Sequence, residues 1–251
     1  LICVRRIAAI HILRLDNLDV QRSKHLLSFG GAVFGGSLIS MFLSPFNKIM
    51  LSRYAGVSTI PVYEIAFNGS MQVRALFEAA LRALMPEISR IGAHMTGYAQ
   101  KRISQINRRG MKLILFFGIP MYGILAIFSP LLLRIWLGHR FVDTLPGALR
   151  TMLIATFLSL LCVPAYYTLL GLGRVRHCFY SYAIQAATNA SIVLFIVMTR
   201  PALSVMHVVW GLVVAMGITS MYLISQNHRI LRTVACLPQV ETEPFVLADK
   251  Y

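Results

Sequence analysis

Apolar residues fall into six long stretches that are separated by short, polar and mostly basic connections. A helix of about 20 residues crosses the hydrocarbon core of a bilayer, and each stretch reaches that length. The pattern therefore predicts an all-α fold, an integral membrane bundle of six helices within residues 26–226. The predicted helices cover about 26–51, 61–89, 113–137, 148–170, 179–198 and 203–224.

The second stretch, Pro61–Ser89, differs from the others because several ionisable side chains lie inside it. At about 100° per residue, its polar side chains occupy less than half of the helix circumference. The two central charges, Arg74 and Glu78, together cost about 5–7 kcal/mol to insert, whereas the apolar residues contribute only about 3–6 kcal/mol. Such a helix is marginal in lipid, so we expect its polar face to line a hydrophilic cavity. The polar set is Glu64, Asn68, Gln72, Arg74, Glu78 and Arg82.

Two roles are open for these charges. Arg74, Glu78 and Arg82 are spaced four residues apart, so opposite charges can pair along the helix as a structural ladder. Alternatively, they line a pathway for an anionic substrate or for a coupling proton or cation, because intramembrane ionisable residues commonly mark such pathways. In that case the two arginines would hold a diphosphate through forked hydrogen bonds. Glu64 or Glu78 would take a proton if burial raised its affinity for one.

Polar residues in the other stretches are further candidates for the cavity. Lys48, which follows Asn47 near the end of the first stretch, either extends to the membrane interface or faces the same cavity as Glu64. Gln185 and Asn189 lie four residues apart in the fifth stretch. They either hydrogen-bond to a neighbouring helix or contact substrate.

Small residues and prolines indicate where helices meet. Closely spaced glycines early in the first stretch predict close approach of a neighbouring helix. Prolines inside spans are tolerated when a neighbouring helix supplies a donor to the carbonyl that each proline leaves free. Tyr166 and Tyr167, which follow Pro164, either line a path or pack between helices, and packing is the main expectation. The glycines are Gly30, Gly31, Gly35 and Gly36.

The composition also indicates a membrane protein. Of the 251 residues, 57% are hydrophobic and 13% are charged, and the mean hydropathy is +0.68, whereas soluble domains carry about 25% charged residues. The net charge of +15 comes from basic residues between the apolar stretches. These residues form no basic face with interleaved aromatic residues, so no nucleic-acid partner is expected.

The distribution of lysine and arginine predicts the orientation in the membrane, because basic residues accumulate on the cytoplasmic side. When six spans alternate, four basic residues fall on one side: Arg53, Arg140, Arg150 and Arg200. The other side, predicted to be cytoplasmic, collects Arg14, Arg22, Lys24, Arg90, Lys101, Arg102, Arg108, Arg109, Lys112, Arg174, Arg176, Arg229, Arg232 and Lys250. Both ends of the chain are therefore expected in the cytoplasm.

The two terminal segments are predicted to lie outside the bundle. Residues 1–25 are either the end of a preceding span and an amphipathic connector on the membrane surface, or a frayed terminus. Residues 227–251 are polar and contain proline, and they are expected to be a cytoplasmic tail with little fixed structure. The chain begins with Leu1 rather than methionine, so it is expected to be a fragment that has lost an N-terminal part.

Motifs for catalysis and cofactor binding are missing from the sequence. The four cysteines, Cys3, Cys162, Cys178 and Cys236, fit neither a metal site nor a disulfide framework. No nucleophile elbow, HExxH motif or phosphate-binding glycine loop occurs. The sequence therefore predicts a protein that is not an enzyme and binds no cofactor or metal.

Four segments of the chain carry a family resemblance: PFNKIMLSRYAGVSTIPVYEIAF, ALRALMPEIS, FSPLLLRIWLG and YYTLLGLGR. In this order and spacing they resemble the C-terminal half of polysaccharide flippases, the O-antigen-type exporters of the MATE-like (MOP) superfamily. These families commonly have an acidic residue before the lysine of the first segment. Asn47 stands there in this chain, so the resemblance does not extend to an ion-coupling carboxylate at that position.

The resemblance implies one half of a two-bundle transporter in the bacterial inner membrane. Such proteins move lipid-linked oligosaccharide, of the undecaprenyl diphosphate type, between leaflets by alternating access in polysaccharide and lipopolysaccharide biosynthesis. A full transporter places its site between two halves, so this chain would hold only part of the site. Arg74 and Arg82 are the expected headgroup contacts, with Glu78 as their organiser or as a coupling site.

Two alternatives remain open from the sequence. A drug/cation antiporter of the same superfamily would rely on carboxylates more than on arginines. A membrane-embedded glycan polymerase or ligase would also use arginines in membrane helices, although such enzymes usually have a large extracytoplasmic loop. The predicted connections on that side of this chain are short.

Overall fold

Nine α-helices and no strand make up the part of the chain described by the computed structural model, residues 20–82, 85–92, 97–199 and 203–235. Short 3₁₀ helices cover Val57–Thr59 and Gly138–Arg140, and a π-helical turn covers Ile114–Gly118. The α-helices are α1 (Val20–Tyr54), α2 (Ile60–Arg82), α3 (Met85–Gly92), α4 (Gly97–Leu113), α5 (Ile119–Leu137), α6 (Thr144–Leu161), α7 (Val163–Gly171), α8 (Val175–Thr199) and α9 (Val205–Ala235).

Five helical segments are long and apolar enough to cross a membrane: Leu27–Tyr54, Lys101–Leu137, Thr144–Gly171, Val175–Thr199 and Val205–Arg232. They correspond to all the predicted spans except the charged one. Helix α2, with 23 residues, is about 35 Å long, which suffices to cross the hydrocarbon core. It is not among the five apolar segments because its charged residues lower its mean hydropathy. The prediction of an all-α membrane bundle is confirmed.

Helix ends can be compared with the prediction at two places. The charged helix was expected to run to Ser89; the structure describes helix over Ile60–Arg82 (α2) and Met85–Gly92 (α3), and residues 83–84 between them lie outside the described residues. Helix α9 continues to Ala235, so the first part of the segment predicted as an unstructured tail is helical. The remainder of that tail, residues 236–251, and residues 1–19 of the predicted N-terminal connector lie outside the described residues.

The centre of the bundle is built from α6, α7 and α9. More than half of the most apolar window is buried in the α6–α7 span (61%) and in α9 (56%), against 11–17% in the other three candidate spans. Helix α8 packs on α9, α1 packs on α8, and α2 packs on α6. The charged helix α2 is therefore held directly against the most buried part of the fold.

Two of the four clustered glycines mediate a close helix contact, as predicted. A Cβ atom at Gly36 would lie 2.7 Å from Tyr182 of α8, and one at Gly35 would lie 3.1 Å from the Phe179 ring. Gly30 and Gly31 have no neighbour within 4 Å of the same position. The contact between α1 and α8 therefore requires glycine only at the second pair.

An arginine satisfies the carbonyl that Pro130 leaves free inside α5. Proline has no N–H, so the carbonyl four residues earlier, that of Ala126, has no helical donor. Arg150 of α6 donates from Nε to this oxygen at 2.9 Å, and Ser129 donates from Oγ at 2.9 Å. Arg150, which the orientation analysis had assigned to a connection between spans, therefore lies inside a helix and joins α6 to α5.

This arrangement predicts a coupling between positions 130 and 150. Arg150→Met should lower the free energy of unfolding in detergent by about 1 kcal/mol, because the Ala126 carbonyl loses a donor. In a Pro130→Ala background the loss should be smaller, since the N–H of residue 130 then bonds to that carbonyl. Arg176→Met, on exposed α8 surface, is the matched control and should have equal effects in both backgrounds. An Arg150→Met effect that is the same in both backgrounds would rule out the coupling.

Candidate functional site

Glu78 of α2 is bonded to two arginines and a tyrosine. Its Oε2 lies 3.5 Å from Nη2 of Arg74, and its Oε1 lies 3.7 Å from Nη2 of Arg82. The hydroxyl of Tyr167, on α7, donates to Glu78 Oε1 at 3.0 Å and accepts from Nε of Arg82 at 3.2 Å. The group of Arg74, Glu78, Arg82 and Tyr167, called here the arginine cluster, carries two positive charges and one negative charge, so one positive charge is left over.

The inner end of the arginine cluster borders a small polar cavity inside the bundle. The cavity has a volume of about 40 Å³, and a water molecule needs about 10–15 Å³ of such space. It therefore holds a few waters but not a sugar diphosphate. Its polar lining from α2, α6, α7, α8 and α9 comprises Arg74, Glu78, Ser159, Cys162, Tyr166, Ser181, Tyr182, Gln185 and Thr219.

Two polar atoms of this lining have no hydrogen-bond partner. They are Nε of Arg74, a donor, and Oγ1 of Thr219, and both are fully buried. Leaving a buried polar atom unsatisfied costs about 1–3 kcal/mol. A polar partner supplied within the cavity would remove that cost.

Exposure increases along the arginine cluster from the cavity outward. The side chains of Arg74 and Glu78 are 25% and 24% exposed, whereas that of Arg82 is 68% exposed. Arg82 is the last residue of α2. An anion that approaches from this end of the bundle therefore meets Arg82 first and Arg74 last.

A second polar group lies near the other end of α2. Lys48 of α1 forms an ion pair with Glu64. Of the two placements predicted for Lys48, at the membrane interface or facing Glu64, this contact corresponds to the second. Beside it, Asn47 is fully buried, donates to the Tyr63 hydroxyl at 3.1 Å, and accepts from Nδ2 of Asn189 at 2.8 Å. Glu64 and Glu78 are fourteen residues apart, about 21 Å along the helix.

The remaining candidates are divided among three places. Gln185 lines the cavity beside Arg74, whereas Asn189, one helical turn away, bonds to Asn47. Asn68 and Gln72 are exposed and lie on a separate, mostly apolar cleft of about 430 Å³ between α2, α5 and α6. The predicted polar set is therefore not one lining but two charged groups and an outer cleft.

Several contributing residues were not among the predicted site residues, and Tyr63, Tyr167 and Thr219 are three of them. Tyr167 was assigned to packing, yet its hydroxyl links Glu78 to Arg82. Tyr63 immediately precedes Glu64 in the sequence, and that position was the available signal. Thr219 lies in an apolar span, where one hydroxyl gives no pattern to detect.

The fold defines the class of this protein. The chain superposes on the outward-facing conformation of a multidrug resistance MATE family transporter of the MOP superfamily with a TM-score of 0.71 and 13% sequence identity. The superposition covers 93% of this chain and 52% of that transporter. The protein is therefore a multi-pass membrane protein with the fold of MOP-superfamily transporters.

The family follows from the sequence comparison. A family model described as "Polysaccharide biosynthesis protein" matches residues 3–146, more than half of the chain, so the chain belongs to this family. It is also 22% identical over 153 residues to a putative O-antigen transporter from Shigella flexneri, a match that covers 61% of this chain and 35% of that protein. The chain spans about a third of that relative's length and about half of the solved transporter. The resemblance inferred from the sequence is confirmed for family and fold.

The buried amide pair predicts a specific loss of stability. Asn47→Leu should lower the free energy of unfolding by about 1–3 kcal/mol, because Nδ2 of Asn189, in a fully buried position, loses its acceptor. Asn68→Leu is the matched control, since Asn68 is exposed, and should change stability by less than about 0.5 kcal/mol. Denaturant unfolding in detergent measures both values. Equal effects of the two substitutions would show that the pair is not a stabilising contact.

Proposed function

We propose that this chain is one half of a flippase that moves lipid-linked oligosaccharide across the bacterial cytoplasmic membrane. In this proposal the protein is not an enzyme, works by alternating access, and takes a substrate of the undecaprenyl diphosphate type. Residues 26–226 form the six-helix half, and both ends of the chain lie in the cytoplasm. The observation that carries the proposal is the surplus positive charge of the arginine cluster beside a polar cavity.

The charge of the arginine cluster suits an anionic headgroup. A guanidinium binds phosphate oxygens through paired, charge-assisted hydrogen bonds. Because Arg82 is exposed and its nearest carboxylate oxygen is 3.7 Å away, it can bind a diphosphate without first breaking a tight ion pair. Arg74 is deeper, and its Nε is unpartnered, so it becomes the second contact when the headgroup moves inward.

Entry of the headgroup requires the bundle to open around the cavity. The volume of about 40 Å³ is too small for a sugar diphosphate, so the present arrangement corresponds to a closed site. In this arrangement Glu78 acts as the organiser: it occupies both guanidinium groups until a diphosphate competes for them. A proton on Glu78 would weaken that competition, which makes this carboxylate the candidate coupling site.

The carboxylates of the described helices favour this proposal over a drug/cation antiporter. Glu64, Glu78 and Glu87 each form an ion pair with lysine or arginine. A cationic drug would need an uncompensated carboxylate in the cavity, and the described part of the chain offers none there. A glycan polymerase or ligase is distinguished by the intermediate that accumulates when the protein is lost.

Substituting both arginines tests the headgroup contact. Arg74→Ala/Arg82→Ala should abolish complementation of a glycan-export mutant that the wild-type protein complements, while the membrane-inserted amount stays unchanged. Arg74→Lys/Arg82→Lys, which keeps the charge but not the forked geometry, should retain partial complementation. Asn68→Ala/Gln72→Ala, on the separate cleft, is the control and should complement fully.

Two outcomes would contradict the proposal. Full complementation by Arg74→Ala/Arg82→Ala would show that the arginines do not contact the headgroup. Lipid-linked units should accumulate in the cytoplasmic leaflet when the flippase fails. Accumulation of unpolymerised units in the outer leaflet would indicate a polymerase or ligase.

A further inference from the structure

A second cationic groove lies away from the arginine cluster, between α4, α7 and α9. Its volume is about 500 Å³. Met111, Ala165 and Ile224 contribute apolar surface to its lining, called here the apolar wall, and Arg108 and Arg232 contribute guanidinium groups. The groove therefore presents hydrocarbon and positive charge side by side.

Within the described part of the chain, the two arginines of this groove have no ion-pair partner. Both are exposed, and no carboxylate in the described ranges lies within ion-pair distance of either. By contrast, Arg102, which lies on α4 near Arg108, is paired with Glu87 at 3.7 Å. The groove consequently has an electrostatic preference for an anion.

Asn227 favours a bound molecule that carries a hydrogen-bond donor. This residue lines the groove, is only 2% exposed, and its Oδ1 has no hydrogen-bond partner. A phosphodiester group has no donor to offer to this oxygen. A hydroxyl on the bound molecule, next to its phosphate, would satisfy Asn227 while the arginines bind the phosphate oxygens.

The groove lies at the ends of two membrane-spanning segments. Arg232 is the last residue of the candidate span Val205–Arg232, and Arg108 is near the start of Lys101–Leu137. Lipid headgroups occupy this level of a bilayer. Basic pockets between membrane helices at this level bind anionic lipid headgroups.

We propose that this groove is a binding site for an anionic phospholipid with a hydroxyl-bearing headgroup, of the phosphatidylglycerol class. Arg108 and Arg232 hold the phosphate, Asn227 accepts a hydrogen bond from a headgroup hydroxyl, and the apolar wall packs against the start of an acyl chain. This lipid is distinct from the transported substrate and does not reach the arginine cluster. The inference does not depend on the proposed flippase activity.

Lipid binding to the purified protein tests the site, with native mass spectrometry in detergent as the measurement. Phosphatidylglycerol should bind at least tenfold more tightly than phosphatidylcholine. Arg108→Gln/Arg232→Gln should weaken phosphatidylglycerol binding by about tenfold, and Arg108→Lys/Arg232→Lys should retain most of it. The matched control is Arg109→Gln/Arg174→Gln, which removes the same charge outside the groove and should leave the affinity unchanged.

The hydroxyl requirement is tested with phosphatidylmethanol, which has the same charge but no headgroup hydroxyl. Wild-type protein should prefer phosphatidylglycerol by about fivefold, and Asn227→Leu should abolish this preference without changing the affinity for phosphatidylmethanol. Equal phosphatidylglycerol affinity in the groove variant and its control would overturn the proposal. Displacement of the lipid by inorganic pyrophosphate at comparable affinity would also overturn it, because the site would then recognise phosphate alone.

Discussion

A charge inside a bilayer needs partners within the protein, and Glu78 is where this constraint acts most strongly on this fold. The carboxylate lies in a helix that lipid alone would scarcely accept, and three side chains compensate it: Arg74, Arg82 and Tyr167. The tyrosine comes from α7, so the compensation is tertiary as well as local. Helix α2 is consequently tied at this point to the most buried span of the bundle.

The same constraint gives the helix two separate polar ends. Around Glu64 the charge is balanced by Lys48 of α1, and the adjacent amides of Asn47 and Asn189 join α1 to α8. Around Glu78 the balance is incomplete, because two arginines face one carboxylate. The first group joins helices through balanced charges and amide hydrogen bonds, whereas the second retains one positive charge.

The two readings of the charged helix are therefore not exclusive. As a ladder, the arginine cluster makes α2 tolerable inside a membrane protein in the absence of ligand. As the proposed binding site, it has two guanidinium groups against one carboxylate, so one positive charge remains to attract an anion.

Much of this architecture is readable from the sequence, because apolar length and helical spacing are local properties. The six helices follow from the apolar stretches, and the spacing of four residues predicts the ion pairs of Arg74, Glu78 and Arg82.

The rest depends on tertiary contacts that no local pattern encodes. Tyr167 reaches Glu78 across 89 positions of the chain, so spacing gives no sign of it. Gln72 lies at the opposite edge of the polar arc from Arg74, and the two line different spaces, the outer cleft and the inner cavity. The bond of Arg150 to the Ala126 carbonyl was not predicted, because charge patterns do not reveal a backbone partner.

The central claim is that the polar face of α2 meets water inside the bundle, and cysteine labelling at Gln185 tests it most directly. Gln185→Cys, in a background without the four native cysteines, lines the cavity beside Arg74 and Glu78 without altering either. In cells, where the proposed transport cycle opens the bundle around the cavity, a membrane-impermeant thiol reagent should modify this position. It should not modify Phe195→Cys, which replaces an exposed apolar side chain farther along α8. Modification of Gln185→Cys only by a lipid-soluble reagent, or by none, would contradict the account.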